Sequence, residues 1–166
     1  IFPDIQIQGD DMCLLAIGWH SSDSLPFVFA GNRDEYHARP SVAAHWWQDA
    51  PHVLAGRDLV AGGSWLGISR TGRFAVVTNR PDLPAPKESP LSRGALVANW
   101  LTAAAPHSDE ALRSVLEVQS PRYGGFSLLA TTLANGNKNQ LRCFSGGNQS
   151  GPLKYEQLHE GITGLS

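Results

Sequence analysis

The sequence is poor in cysteine, methionine and charge. It holds two cysteines, Cys13 and Cys143, and a single methionine. Two cysteines allow at most one disulfide, which excludes a disulfide-stapled secreted scaffold. Two reduced thiols in a cytoplasmic protein are the plain expectation. The six histidines are scattered, with no His-x-x-x-His or His-Glu-x-x-His spacing, and no Cys-x-x-Cys occurs. No metal centre is therefore expected. Charged residues make up 17% and the formal net charge is -2. That balance excludes the basic footprint of a nucleic-acid partner. No apolar run approaches the ~18 residues of a membrane span, so no membrane span is expected. Neither a Gly-x-x-x-x-Gly-Lys loop nor a Gly-x-Gly-x-x-Gly turn opening a helix is present. Gly56-Arg57-Asp58 and Gly62-Gly63-Ser64 remain only weak hints of a phosphate cradle.

What is present is apolar patterning, at 42% hydrophobic residues. A chain of 166 residues fits one domain with a sizeable core. Residues 1–12 lack both a basic start and a long apolar centre, and read as a leader or vector-derived remnant. The patterned domain then runs over 13–166. Cys13–His20 and Leu25–Ala30 read as buried strands of a hairpin around Ser21–Ser24. Tyr36–Pro51 reads as irregular, broken by Pro40 and Pro51, with Trp46-Trp47 packing in the core or lining an apolar pocket. His52–Ala55 is a short strand before a turn at Gly56-Arg57-Asp58. Ser64–Ser69 and Arg73–Thr78 flank Arg70-Thr71-Gly72 as a second hairpin. Pro81–Pro90 is a proline-rich loop.

Two helices follow. Ser92–Ala105 carries Leu96, Val97, Trp100 and Leu101 at helical spacing, with Ser92 as cap. Ser108–Gln119 has Ser108 as cap and Leu112, Val115 and Leu116 on one face. Phe126–Thr132 and Gln140–Ser145 are strands around Asn135-Gly136-Asn137, and Lys154–His159 is another. The sequence ends inside an apparent strand at Gly164-Leu165-Ser166, as in a truncated domain. Such a domain exposes apolar surface, so either association into an oligomer or marginal stability is expected. Strands, then helices, then strands without βαβ alternation predict an α+β layered fold of mostly antiparallel sheets.

The chemistry concentrates at Met12-Cys13. A Cys after an initiator Met becomes the first residue once the Met is removed. It then carries a thiol nucleophile and its own base, the free α-amine. Antiparallel pairing of the first hairpin puts Cys13 beside Asn32-Arg33-Asp34-Glu35. There Asp34 attracts the α-ammonium and Arg33 supplies positive charge beside the thiol. Asn79, ending the second hairpin, would offer its amide to a developing oxyanion. Each has a plainer reading. Cys13 would be a small buried hydrophobe. Arg33, Asp34 and Glu35 would be a solvated turn with surface ion pairs. Asn32 would tolerate a left-handed turn conformation, and Asn79 would be a turn residue before Arg80-Pro81.

The stretches MCLLAIGW, AGNRDEYHARP, HVLAGRDLVAGGSWLGISRTGRFAVVTNR, SRGALV and the final GLS resemble the NRDE-motif family over roughly residues 12–166. That family is similar to the N-terminal-nucleophile hydrolases, among which bile-salt hydrolases and penicillin V acylases are the closest mechanistic comparison. The resemblance implies an αββα sandwich and a cysteine amidohydrolase or acyltransferase on a small amide or acyl substrate. It gives Cys13 the nucleophile's role, Arg33 and Asp34 the support of the terminus, and Asn79 that of oxyanion donor. No cofactor is implied for that chemistry. The resemblance also brings a second class of function, non-catalytic haem or lipid and acyl-CoA handling, with Cys13 or a His as axial ligand to haem.

Overall fold

The computed structural model describes residues 13–22, 24–80, 82–83, 91–103, 109–133, 141–147 and 152–165. The expected leader, most of the Pro81–Pro90 loop, the Asn135-Gly136-Asn137 turn and the Ser108 cap lie outside them. The described residues form β1 (Leu15–Trp19), β2 (Phe27–Gly31), β3 (Ser41–Trp46), β4 (Val53–Asp58), β5 (Leu66–Ser69) and β6 (Arg73–Asn79). Helices α1 (Gly94–Thr102) and α2 (Asp109–Gln119) follow, then a 3-10 turn at Ser120–Arg122. The strands β7 (Phe126–Thr132), β8 (Leu141–Gly146), β9 (Lys154–Leu158) and β10 (Gly161–Leu165) complete the set. These belong to two compact units, Ile1–Tyr36 with Glu160–Ser166, and His37–His159.

The smaller unit is a three-stranded antiparallel sheet in the order β10-β1-β2. The expected first hairpin forms, with Leu15 opposite Gly31 and Trp19 opposite Phe27. On its other edge β1 pairs with β10, Leu15 opposite Leu165 and Trp19 opposite Gly161. Period-two alternation puts Leu15, Ile17 and Trp19 on one face, and all three are buried. Ala16, Val28 and Ile162 lie on the other face and are exposed.

The larger unit is a seven-stranded sheet in the order β3-β4-β5-β6-β7-β8-β9, antiparallel throughout. Helix α1 covers it. Leu96, Val97, Trp100 and Leu101 recur at helical spacing and join Val53, Ala55, Ala75, Val77, Leu128 and Ala130 in one core. Trp100 Nε1 donates to the Phe74 carbonyl at 3.1 Å, giving the indole's polar edge a partner. Arg73 reaches from β6 to the end of α1, donating to the carbonyls of Trp100 at 2.9 Å and Ala103 at 2.6 Å. A cation thus meets a helix C-terminus whose own last turn has no basic residue.

The α+β class with mostly antiparallel sheets and two helices is therefore present. Several local expectations change. Ser41–Trp46, read as irregular, is an edge strand, with a register shift between Val42 and His45. The flanking prolines bound the strand and do not interrupt it, and a bulge suits an edge. Gly56-Arg57-Asp58 continues β4. Ser92 contributes its carbonyl to the Ala95 N–H at 2.9 Å, and no side chain caps α1 at Arg93. On α2, Leu116 is buried but Val115 is about half exposed at 48%. The tryptophan pair splits. Trp47 is buried and donates to the Ala55 carbonyl at 3.2 Å. Trp46 is exposed beneath the Arg70 guanidinium, 3.9 Å from its ring centre.

The residues of the weak phosphate hints are engaged in structure. Arg57 pairs with Asp49 and stacks on Trp47. Asp58 accepts from Arg39 at 2.7 and 3.2 Å and from the Val60 and Ala61 amides at 2.9 and 3.4 Å. Burial raises the Asp58 carboxyl, but the hydrogen bonds from Arg39 and the two amides outweigh it, and the net shift is below the ordinary 3.8. A carboxylate held low contributes stability that is complete above the ordinary value and is lost as pH falls through the folded one. Asp58→Ala, which leaves these donors unpaired, should cost about 2 kcal/mol at neutral pH. Urea unfolding at pH 7 and pH 3 checks this: the gap between parent and variant should narrow in acid. An undiminished gap at pH 3 rejects the electrostatic account.

Candidate functional site

The hairpin brings Cys13 to the NRDE segment, as its antiparallel register requires. After Leu15 and Gly31 the next opposed pair is Leu14 and Asn32, and Asn32 extends the ladder in an unusual way. Its backbone N–H donates to the Leu14 carbonyl at 3.1 Å. The return bond, from the Leu14 N–H, goes to the side-chain Oδ1 of Asn32 at 3.0 Å. A side-chain amide thus replaces a peptide carbonyl. The main chain is thereby freed to turn, while the donor stays satisfied. Among the described non-glycine residues only His20 has a positive φ, so Asn32 is not there for a left-handed conformation.

Two residues on, the chain crosses the thiol. The Asp34 backbone N–H donates to Cys13 Sγ at 3.4 Å. The Asp34 carboxylate meets Asn32 Nδ2 at 3.5 Å, the long limit of a hydrogen bond. Arg33 Nη2 donates to Glu35 Oε2 at 2.7 Å, with both side chains about a quarter exposed. At that exposure the pair contributes at most ~1 kcal/mol. Cys13 is a free, half-buried thiol. An exposed segment therefore holds a sulfur and a backbone donor aimed at it, beside the Arg33–Glu35 ion pair and the Asp34 carboxylate.

Asn79 lies in the larger unit. It ends β6, opposite Phe126, and is exposed. The next residue, Arg80, donates its backbone N–H to the Gly125 carbonyl at 2.9 Å and pairs with Asp82. Cys143 is also free, but it is buried in β8. Burial pushes its thiol up, against a smaller lowering by the Ser145 hydroxyl. The two cysteines therefore sit in opposite settings, one half-open with an amide donor and one enclosed.

The residue that sequence reasoning undervalued is Asn32. Its signal was its position, one step beyond the last paired residue of β2 and opposite the residue after Cys13. Among the described residues no helix is long and apolar enough to cross a membrane.

Comparison with known proteins bears on this segment. The chain is 36% identical to the cattle protein named Transport and Golgi organization protein 2 homolog over 152 residues, 88% of this chain and 52% of that protein. It is 34% identical to the human protein of the same name over 131 residues, 76% of this chain and 45% of that one. The fruit-fly Transport and Golgi organization protein 2 is 30% identical over 118 residues, 67% of this chain and 41% of that one. The chain thus spans about half the length of these curated relatives. The Transport and Golgi organisation 2 family model matches residues 12–166. With a match of that extent over a segment whose Asn-Arg-Asp-Glu run folds against Cys13, the chain belongs to the Transport and Golgi organisation 2 family, the NRDE-motif family.

Proposed function

We propose that this chain carries the nucleophile of a cysteine N-terminal-nucleophile amidohydrolase or acyltransferase, acting on a small amide or acyl compound. The observation that supports it is the Asp34 N–H donating to Cys13 Sγ, which places a fixed dipole at the sulfur where negative charge gathers. In this reading Cys13 is the first residue of the mature chain. Its α-amine takes the thiol proton, and the sulfur attacks the substrate carbonyl carbon. A C–S bond forms and the carbonyl electrons move to oxygen. The oxyanion collapses, the C–N bond breaks, and the α-ammonium returns the proton to the leaving amine. Water or an acceptor amine or alcohol then takes the acyl group from the thioester. Asp34 holds the α-ammonium and Arg33 balances the surrounding carboxylates.

Intact-mass analysis of protein isolated from its native host tests the proposal. The expected mass begins at Cys13, and incubation with a panel of small N-acyl amides adds an acyl group to that residue. Residues retained ahead of Cys13, with no acyl adduct and a Soret band on haem titration, would overturn it in favour of a ligand carrier.

A further inference from the structure

We propose that Asn32 is a positioning residue that sets the Cys13 sulfur against the Asp34 amide; its catalytic meaning rests on the nucleophile reading above. Three contacts converge on this one side chain and its backbone. Oδ1 holds the Leu14 N–H at 3.0 Å, the backbone N–H holds the Leu14 carbonyl at 3.1 Å, and Nδ2 faces the Asp34 carboxylate at 3.5 Å. Leu14 is the residue after Cys13, and Asp34 supplies the N–H at Cys13 Sγ. Asn32 therefore grips both ends of the S···H–N contact, one through the peptide bonded to Cys13 and one through the carboxylate of the donor residue.

Neighbouring side chains cannot do this. Arg33 is committed to Glu35. Gly31 has no side chain, and a Cβ there would lie 2.8 Å from Leu15 Cδ2 and 3.2 Å from the Leu14 carbonyl oxygen. The crossing is thus packed closely on one side and tied by an amide on the other. An amide offers an acceptor for Leu14 and a donor for Asp34 on two separate atoms of one short side chain. Aspartate keeps the acceptor but places a second carboxylate beside Asp34. Alanine keeps neither.

The test uses the 166-residue chain as it stands, labelled with 15N, with Asn32→Asp and Asn32→Ala beside it. The readouts are the temperature dependence of the Leu14 and Asp34 amide-proton shifts and the iodoacetamide rate at Cys13. In the parent both amides should behave as hydrogen-bonded. In Asn32→Asp, Leu14 should keep that behaviour, Asp34 should lose it, and Cys13 labelling should fall roughly threefold or more through loss of the donor at sulfur. In Asn32→Ala both amides should lose it, with amides of β6 and β7 unmoved. If Asn32→Ala does not fold, the Asn32→Asp result decides alone. If Asp34 and the Cys13 rate are unchanged in Asn32→Asp, Asn32 is a strand clamp and the proposal is overturned. The amide readouts do not depend on whether Cys13 is catalytic. A failure of the nucleophile reading would instead show as the absence of an acyl adduct with the Asp34 contact intact.

Discussion

Iodoacetamide at pH 6 to 7 should modify Cys13 at least about tenfold faster than Cys143 in protein whose chain begins at Cys13. The difference follows from their surroundings. Cys13 is half-buried with the Asp34 amide at its sulfur. Cys143 is 7% exposed within β8, and burial disfavours its thiolate. Cys13→Ser should remove the fast phase entirely. Asp34→Asn should slow it, by weakening the hold on the α-amine that removes the thiol proton. Peptide mapping after timed quenching reads both sites. Equal, slow labelling of the two thiols would reject the nucleophile role for Cys13.

Gly63→Ala should be strongly destabilising, at about 3 kcal/mol or failure to fold. The loop after β4 runs against the first turn of α1, where the Ser64 N–H donates to the Gly94 carbonyl at 3.2 Å. A Cβ on Gly63 would lie 2.6 Å from the Gly94 carbonyl oxygen and 2.9 Å from the Ala95 nitrogen. Those atoms belong to backbone, so no rotamer change relieves the overlap. Gly62 is the internal control. It has a positive φ of 73° but open space around its Cβ position, so Gly62→Ala meets only conformational strain of about 1 kcal/mol. Urea unfolding of both variants separates the two causes. A Gly63→Ala loss no larger than that of Gly62→Ala would show that the loop and helix can part without penalty.

The same two glycines show where sequence reading stopped. Gly62-Gly63-Ser64 suggested a phosphate cradle, because glycine permits close approach of backbone to anything. What approaches Gly63 is α1, and no local pattern names a partner some thirty residues on. Hairpins were legible because each partner lies next in sequence. Phe126–Thr132 was read with its observed bounds, and the two hairpins were read to within about two residues at each end. The β6–β7 pairing, which joins the hairpins to the strands after the helices, left no local trace. Strand β3 was missed because Pro40 and Pro51 dominate a stretch whose alanines and serine carry little strand propensity. At the site, proximity of Cys13 to Asp34 was legible from hairpin register. The identity of the contacting atoms was not. Charge complementarity pointed to the Arg33 guanidinium and the Asp34 carboxylate, yet the atom found at the sulfur is the Asp34 backbone nitrogen. Glu35, one residue further along, draws the guanidinium to itself.

The central place of β1 between β2 and β10 has a consequence for the order of assembly. One neighbour of β1 is made almost at once, and the other comes at the far end of the described chain. At ribosomal rates of ~5–20 residues per second, the wait between them is on the order of ten seconds. Throughout it, β1 has one edge of unsatisfied amides and carbonyls, carried by an apolar, uncharged strand. Among the described strands β1 is thus closed late, and the nascent chain must shield that edge until Gly161–Leu165 emerges.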